Sequence, residues 1–266
     1  MTVSDVLDGA FDVLKRAPAT VLGYTAVFAL PVQLLLSWFQ RDLLGGDSII
    51  DVIQANDTEA LDRASSGGGT AAQLIGLMGP SLALMFIAAG LARLVGAWQV
   101  GRDLSIGDLL RLTLPRTPAL LGAWLLVHLA EGVGFLLFAF PALVAMTWFL
   151  VTAPVIGAEG LGAVAAMRRS ARLASRRFWP VLGLGILSGL VATLFGYAIG
   201  LLPTLLALLV GTDGAGWVLI AVANVLGSLL TMPVVAAATV LVYLDLRVRT
   251  EGLDLELEAA EVLPAR

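Results

Sequence analysis

Six stretches of this chain, at 19–39, 71–95, 118–138, 141–157, 179–208 and 217–244, are almost wholly apolar; their only charged residues are Arg93 and Glu131. A backbone surrounded by lipid must satisfy its own N–H and C=O groups, so apolar stretches of about 20 residues fold as membrane-crossing helices. Composition agrees. Hydrophobic residues are 59% of the 266, charged residues 14%, and mean hydropathy is +0.93, against about 45–50% and about 25% in soluble domains. The sequence therefore predicts an all-α polytopic membrane protein of six transmembrane helices with short amphipathic interfacial helices. Residues 1–250 form its membrane domain, and 251–266 a charged cytoplasmic tail.

The positive charges say how the spans are threaded. Lys15, Arg16, Arg93, Arg102, Arg111, Arg116, Arg168, Arg169, Arg172, Arg176, Arg177, Arg247, Arg249 and Arg266 fall on one side of such a layout, and only Arg41 and Arg63 on the other. Because basic residues are retained in the cytoplasm, this asymmetry puts both termini inside and the protein in the cytoplasmic membrane. The polar connection 41–70, with Asp42, Asp47, Asp51, Asp57, Glu59 and Asp62, then lies outside. The N-terminus lacks a basic segment followed by an apolar one, so no cleavable signal peptide is expected. The net charge of -4 is segregated by side and gives no reason to expect a nucleic-acid partner. Cysteine is absent, which removes disulfides and thiolate chemistry.

Three connections read as amphipathic helices. Val3, Val6, Leu7, Phe11 and Leu14 share one face of 3–16, and Ser105 with Asp108 forms a capping-box pattern. The third, EGLGAVAAMRRSARLASRRFWP (Glu159–Pro180), sets Arg168, Arg169, Arg172, Arg176 and Arg177 opposite Leu161, Val164, Met167 and Leu173. A helix over about 160–178 lies in the membrane surface, its arginines reaching toward anionic headgroups on the cytoplasmic face. Glu159 is expected near the start of this helix, favoured by its dipole and paired with an arginine one turn on. The AFPA segment Ala139–Ala142 reads as a tight turn between spans three and four. Pro18, Pro118 and Pro180 each stand between a basic amphipathic segment and a span. That likeness fits three repeated hairpin units, or simply the basic lead-in common to membrane spans.

Two short motifs carry a family resemblance. Glu159-Gly160, Ala165, Arg168-Arg169-Ser170, Leu173 and Arg177-Phe178-Trp179 resemble the pattern of the glycerophosphoryl diester phosphodiesterase membrane-domain family. Tyr243-Leu244-Asp245-Leu246-Arg247-Val248-Arg249 with Glu251-Gly252-Leu253-Asp254 is similar to the tail of actinobacterial members. The resemblance implies a six-span helical domain, often standing alone without assigned activity. The catalytic barrel of enzyme-bearing members needs about 250 residues of its own, which this chain does not have to spare.

No nucleophile elbow, phosphate loop, dinucleotide fingerprint or zinc spacing occurs, so neither an enzymatic activity nor a cofactor is expected. The intramembrane polar pair His128 and Glu131 lies three residues apart on one helix face, either as a proton or solute site or as polar glue to Gln33, Thr193 or Asn224. Gly185, Gly189, Gly196 and Gly200 make two G-x-x-x-G pairs for close packing, within the chain or against a second copy. The function expected is that of a non-enzymatic scaffold or lipid-contacting component of an envelope-associated system, its partners anionic membrane lipids on the cytoplasmic face and a membrane or cytoplasmic protein. The alternative is a small transporter moving lipid or solute through a cavity containing His128 and Glu131.

Overall fold

The computed structural model describes residues 2–40, 68–210 and 216–253. In chain order their helices are α1 (Val3–Arg16), α2 (Pro18–Gln40), α3 (Gly68–Gln99), α4 (Ile106–Thr113), α5 (Thr117–Leu137), α6 (Ala139–Phe149), α7 (Thr152–Glu159), α8 (Ala163–Ser175), α9 (Phe178–Val210) and α10 (Trp217–Glu251). A 3-10 turn, Leu114–Arg116, joins α4 to α5. Six helical segments are long and apolar enough to cross a membrane: α2, α3, α4 with α5, α6 with α7, α9 and α10. The chain is an all-α polytopic membrane protein. The polar connection 41–70, apart from its last three residues, and the tail after Leu253 lie outside the described residues.

Local chemistry explains where the helices depart from expectation. The fourth span is two helices, interrupted at Leu150–Val151. Pro154, third in α7, has no N–H to donate and so sits in a first turn. The reversal before it is not the AFPA segment, which forms the first turn of α6; the chain turns at Phe138, φ 134 and ψ 152. Gly134 lets α5 and α6 close there, since a Cβ on it would lie 2.7 Å from the Ala142 nitrogen. At the other end α10 runs to Glu251 and stops at Gly252, φ 70, so the start of the charged tail is helical.

The surface helices are capped as their sequences require. Ser105 Oγ accepts from the Asp108 amide at 3.2 Å, and the Asp108 carboxylate accepts from the Ser105 amide at 3.0 Å. Thr2 and Asp5 make the same reciprocal pair at the start of α1. Pro18, Pro118 and Pro180 are the first, second and third residues of α2, α5 and α9, positions whose N–H groups have no partner within the helix.

The packing repeats three times. The surface helix α4 lies against the hairpin α2–α3, and α8 lies against α5–α6–α7. Helix α1 closes the circle beneath α9–α10. The second arms α3, α7 and α10 meet one another, while the first arms α2, α5 and α9 touch α10, α3 and α6 respectively. Each relation advances by one unit, the pattern that a repeated hairpin would give.

Small residues make the centre. Ala88, Ala89, Ala92, Ala153, Ala236, Ala237 and Ala238 are buried, and a Cβ on Gly157 of α7 would run into the Ala89 carbonyl oxygen of α3. Between helices in lipid, van der Waals contact rather than hydrophobic burial supplies attraction, so close approach is what stabilises this core. Tyr24 of α2 lies over Gly90 and donates to the Phe86 carbonyl at 3.1 Å.

Candidate functional site

Helix α7 ends at Gly160, whose φ of 69 and ψ of 22 are left-handed, and the Gly160 amide donates to the Ile156 carbonyl at 3.0 Å. Arg116 reaches over the glycine and donates Nη1 to its carbonyl oxygen at 2.5 Å. The left-handed backbone favours glycine here, and a Cβ at this position would sit 2.6 Å from Arg116 Nη2 and push that side chain aside. This cap leaves Glu159 as the last residue of α7, at the basic end of the bundle. Glu159 is thus at a helix C-terminus, not at the start of the cationic helix as expected, and its partner is not one turn on.

That partner is Arg169, ten residues away on α8. Ala166, Ser170, Leu173 and Ala174 turn α8 inward, and Ser170 Oγ donates to the Trp148 carbonyl at 2.6 Å. Arg169 Nε lies 3.0 Å from both Glu159 oxygens. Its terminal nitrogens take Glu251 as a fork, Nη2 to Oε2 at 2.7 Å and Nη1 to Oε1. The Tyr243 hydroxyl donates to Glu159 Oε1 at 2.9 Å, and Arg247 Nε donates to Glu251 at 3.3 Å. The hydrogen bonds that Arg169 donates to Glu251, and then to Glu159, hold its guanidinium above the ordinary pKa although burial works against this. Two arginines and two glutamates balance in charge and join the middle of α8 to the ends of α7 and α10.

The headgroup-facing expectation therefore needs correcting for Arg169, which turns into the protein with only 18% of its side chain exposed. Arg177 leans toward Asp245, Nη1 to Oδ2 3.9 Å, and Asp245 also accepts from Arg249 Nε at 2.8 Å. Arg168, Arg172 and Arg176 are exposed, and none forms an ion pair among the described residues. They follow one another four residues apart along the outer face of α8, Arg176 capping its C-terminus.

The intramembrane pair lies elsewhere. His128 Nδ1 donates to the Trp124 carbonyl of its own helix at 2.8 Å, and its ring centroid is 5.0 Å from that of Trp124. Trp124 Nε1 in turn donates to Ser81 Oγ of α3 at 3.0 Å, a tie that no periodicity reveals. Glu131 is half-buried and makes no hydrogen bond among the described residues.

Gln33, Thr193 and Asn224, the expected glue for that pair, instead line a cavity of about 840 Å³ between α2, α3, α9 and α10. Neither His128 nor Glu131 lines it. Gly189, at its near edge, is 12 residues beyond Arg177, about 18 Å along the helix. The cavity thus occupies the half of the bundle away from the basic end. Of the four α9 glycines in the two G-x-x-x-G pairs, a Cβ on Gly185 would lie 3.3 Å from Leu150 Cδ2, on Gly196 3.6 Å from Thr231 Cγ2, and on Gly200 3.9 Å from the Ala223 Cβ. Those three are at helix contacts within the chain. Gly189 is not: nothing lies within 4 Å of its Cβ position, and it opens onto the cavity.

Among the described residues no three histidine, aspartate or glutamate side chains gather to hold a metal ion. Comparison with known proteins finds no matching family model, no matching curated protein and no matching solved structure.

Proposed function

We propose that this chain is a non-enzymatic component of the cytoplasmic membrane, with both termini in the cytoplasm, that contacts anionic lipid and serves as a scaffold within an envelope-associated system. The observation that carries the reading is the outer face of α8, where Arg168, Arg172 and Arg176 stand exposed while Arg169 and Ser170 anchor the helix to the bundle. A rigid helix holding three cations at the edge of the spans is suited to headgroup phosphates, each arginine contributing about 1 kcal/mol near an anionic surface. The resemblance to the glycerophosphoryl diester phosphodiesterase membrane-domain family is consistent with this role, and the proposed absence of catalysis rests on the missing nucleophile and phosphate-loop patterns.

The test is lipid retention. Protein purified with its native lipid is compared with Arg168→Gln/Arg172→Gln/Arg176→Gln by native mass spectrometry, and the variant should retain markedly less anionic lipid at an unchanged melting temperature. Equal retention would remove the lipid-contact reading.

A further inference from the structure

At the basic end, beside the meeting point of α3, α7 and α10, the end of α3, the loop to α4 and the end of α10 enclose a second cavity of about 430 Å³. Arg93, Arg102 and Arg247 all line it, Tyr243 and Gln99 add polar atoms, and no aspartate or glutamate is among its lining residues. Arg247 shares its charge with Glu251. Arg93 and Arg102 form no ion pair among the described residues. Arg93 Nε is buried without a hydrogen-bond partner, and the charge acting on Arg93 is that of another arginine, Arg116. A buried donor left unmade is costly, and gathering like charges adds to the cost. A ligand that accepts several hydrogen bonds and carries negative charge relieves both.

We propose that this cavity binds a phosphate-type anion, as a phosphomonoester or phosphodiester, held by Arg93 and Arg102 with Arg247. Planar guanidinium groups match phosphate oxygens in pairs, which makes arginine rather than lysine the suitable residue. The volume exceeds that of a bare phosphate and admits the polar part of a larger molecule. Its position where the spans end lets the anion come from a lipid headgroup or from solution. The site is separate from the outer face of α8 and does not depend on the lipid-contact reading.

The experiment uses full-length protein in phosphatidylcholine nanodiscs, with phosphatidic acid added in one arm and inorganic phosphate in the other. Melting temperature and anion retained in native mass spectrometry are read in both. Wild type should be stabilised and retain the phosphate-bearing species in at least one arm. Arg93→Gln and Arg102→Gln should each weaken binding about tenfold, the loss of one charge-assisted hydrogen bond. Response to phosphatidic acid alone assigns a lipid headgroup, and response to inorganic phosphate assigns a soluble anion. Arg102 is exposed on a loop, so its variant keeps the test decisive if Arg93→Gln does not fold. No response in either arm, or undiminished binding in the folded variants, overturns the site. Loss of binding in Arg168→Gln/Arg172→Gln/Arg176→Gln but not in Arg93→Gln also overturns it, because the lipid then belongs to α8.

Discussion

The Tyr243 hydroxyl donates to Glu159 Oε1 at 2.9 Å across 84 residues of sequence. Both belong to the two short motifs at 159–179 and 243–254, and those motifs meet in space: Glu159 and Arg169 come from one, Tyr243, Arg247 and Glu251 from the other. Their ion pairs and hydrogen bonds lock the surface helix α8 to the ends of α7 and α10.

This lock predicts a graded loss of stability. Tyr243→Phe removes one hydrogen bond to a carboxylate and should cost about 1.5 kcal/mol. Arg169→Gln should cost more, because it leaves Glu159 and Glu251 each without their main cation. Adding Tyr243→Phe to Arg169→Gln should cost less than the sum, since both act on Glu159. Denaturation in detergent with a double-mutant cycle reads this directly, and strict additivity would mean the two bonds are independent.

The glycines predict opposite outcomes at two positions. Gly157→Ala forces a methyl into the Ala89 carbonyl, which is backbone and cannot swing aside. It should lower the melting temperature strongly, as overpacking in a close helix contact does. Gly189→Leu points into the 840 Å³ cavity and should be tolerated despite the larger change. A wild-type melt for Gly157→Ala, or collapse of Gly189→Leu, would contradict this arrangement of α3, α7 and α9.

Span existence was legible because the apolar runs are long and nearly uncharged, and the Ser105–Asp108 cap because its chemistry is local. The direction of Arg169 was not. At about 100° per residue Arg169 lies only about 20° around the helix from Arg176, so spacing alone does not separate it from the exposed arginines; its inward direction becomes meaningful only once Glu159 and Glu251 are known to lie on that side. The turn at Phe138 was equally hidden, because a phenylalanine at positive φ follows no turn signal. The placement of Gln33, Thr193 and Asn224 depended on which hairpins neighbour one another, a property of the threefold packing and not of any one segment.

The threading proposed from the basic residues has a simple check in a chain without cysteine. Ser65→Cys and Ser175→Cys should react from opposite sides of the membrane with an impermeant thiol reagent. Labelling of both from outside intact cells would end the arrangement with both termini in the cytoplasm.

The last prediction concerns Glu131. His128 already donates to the Trp124 carbonyl, and Glu131 makes no hydrogen bond among the described residues, so the pair contributes no mutual hydrogen bond to the bundle. An ionisable group at this depth is costly to keep. Glu131→Leu should therefore melt no lower than wild type, and Glu131→Gln should melt with it. A drop of more than about 1 kcal/mol in Glu131→Leu alone would show that the carboxyl has a bonding partner in the membrane, from lipid or a second copy. If both variants fold normally, a cellular defect in Glu131→Gln separates the readings, because glutamine keeps the shape and hydrogen-bonding capacity of the side chain but cannot ionise. Normal growth with both variants favours the scaffold. A defect at normal protein level and melting temperature favours a proton- or solute-handling role for His128 and Glu131, and would count against the scaffold reading.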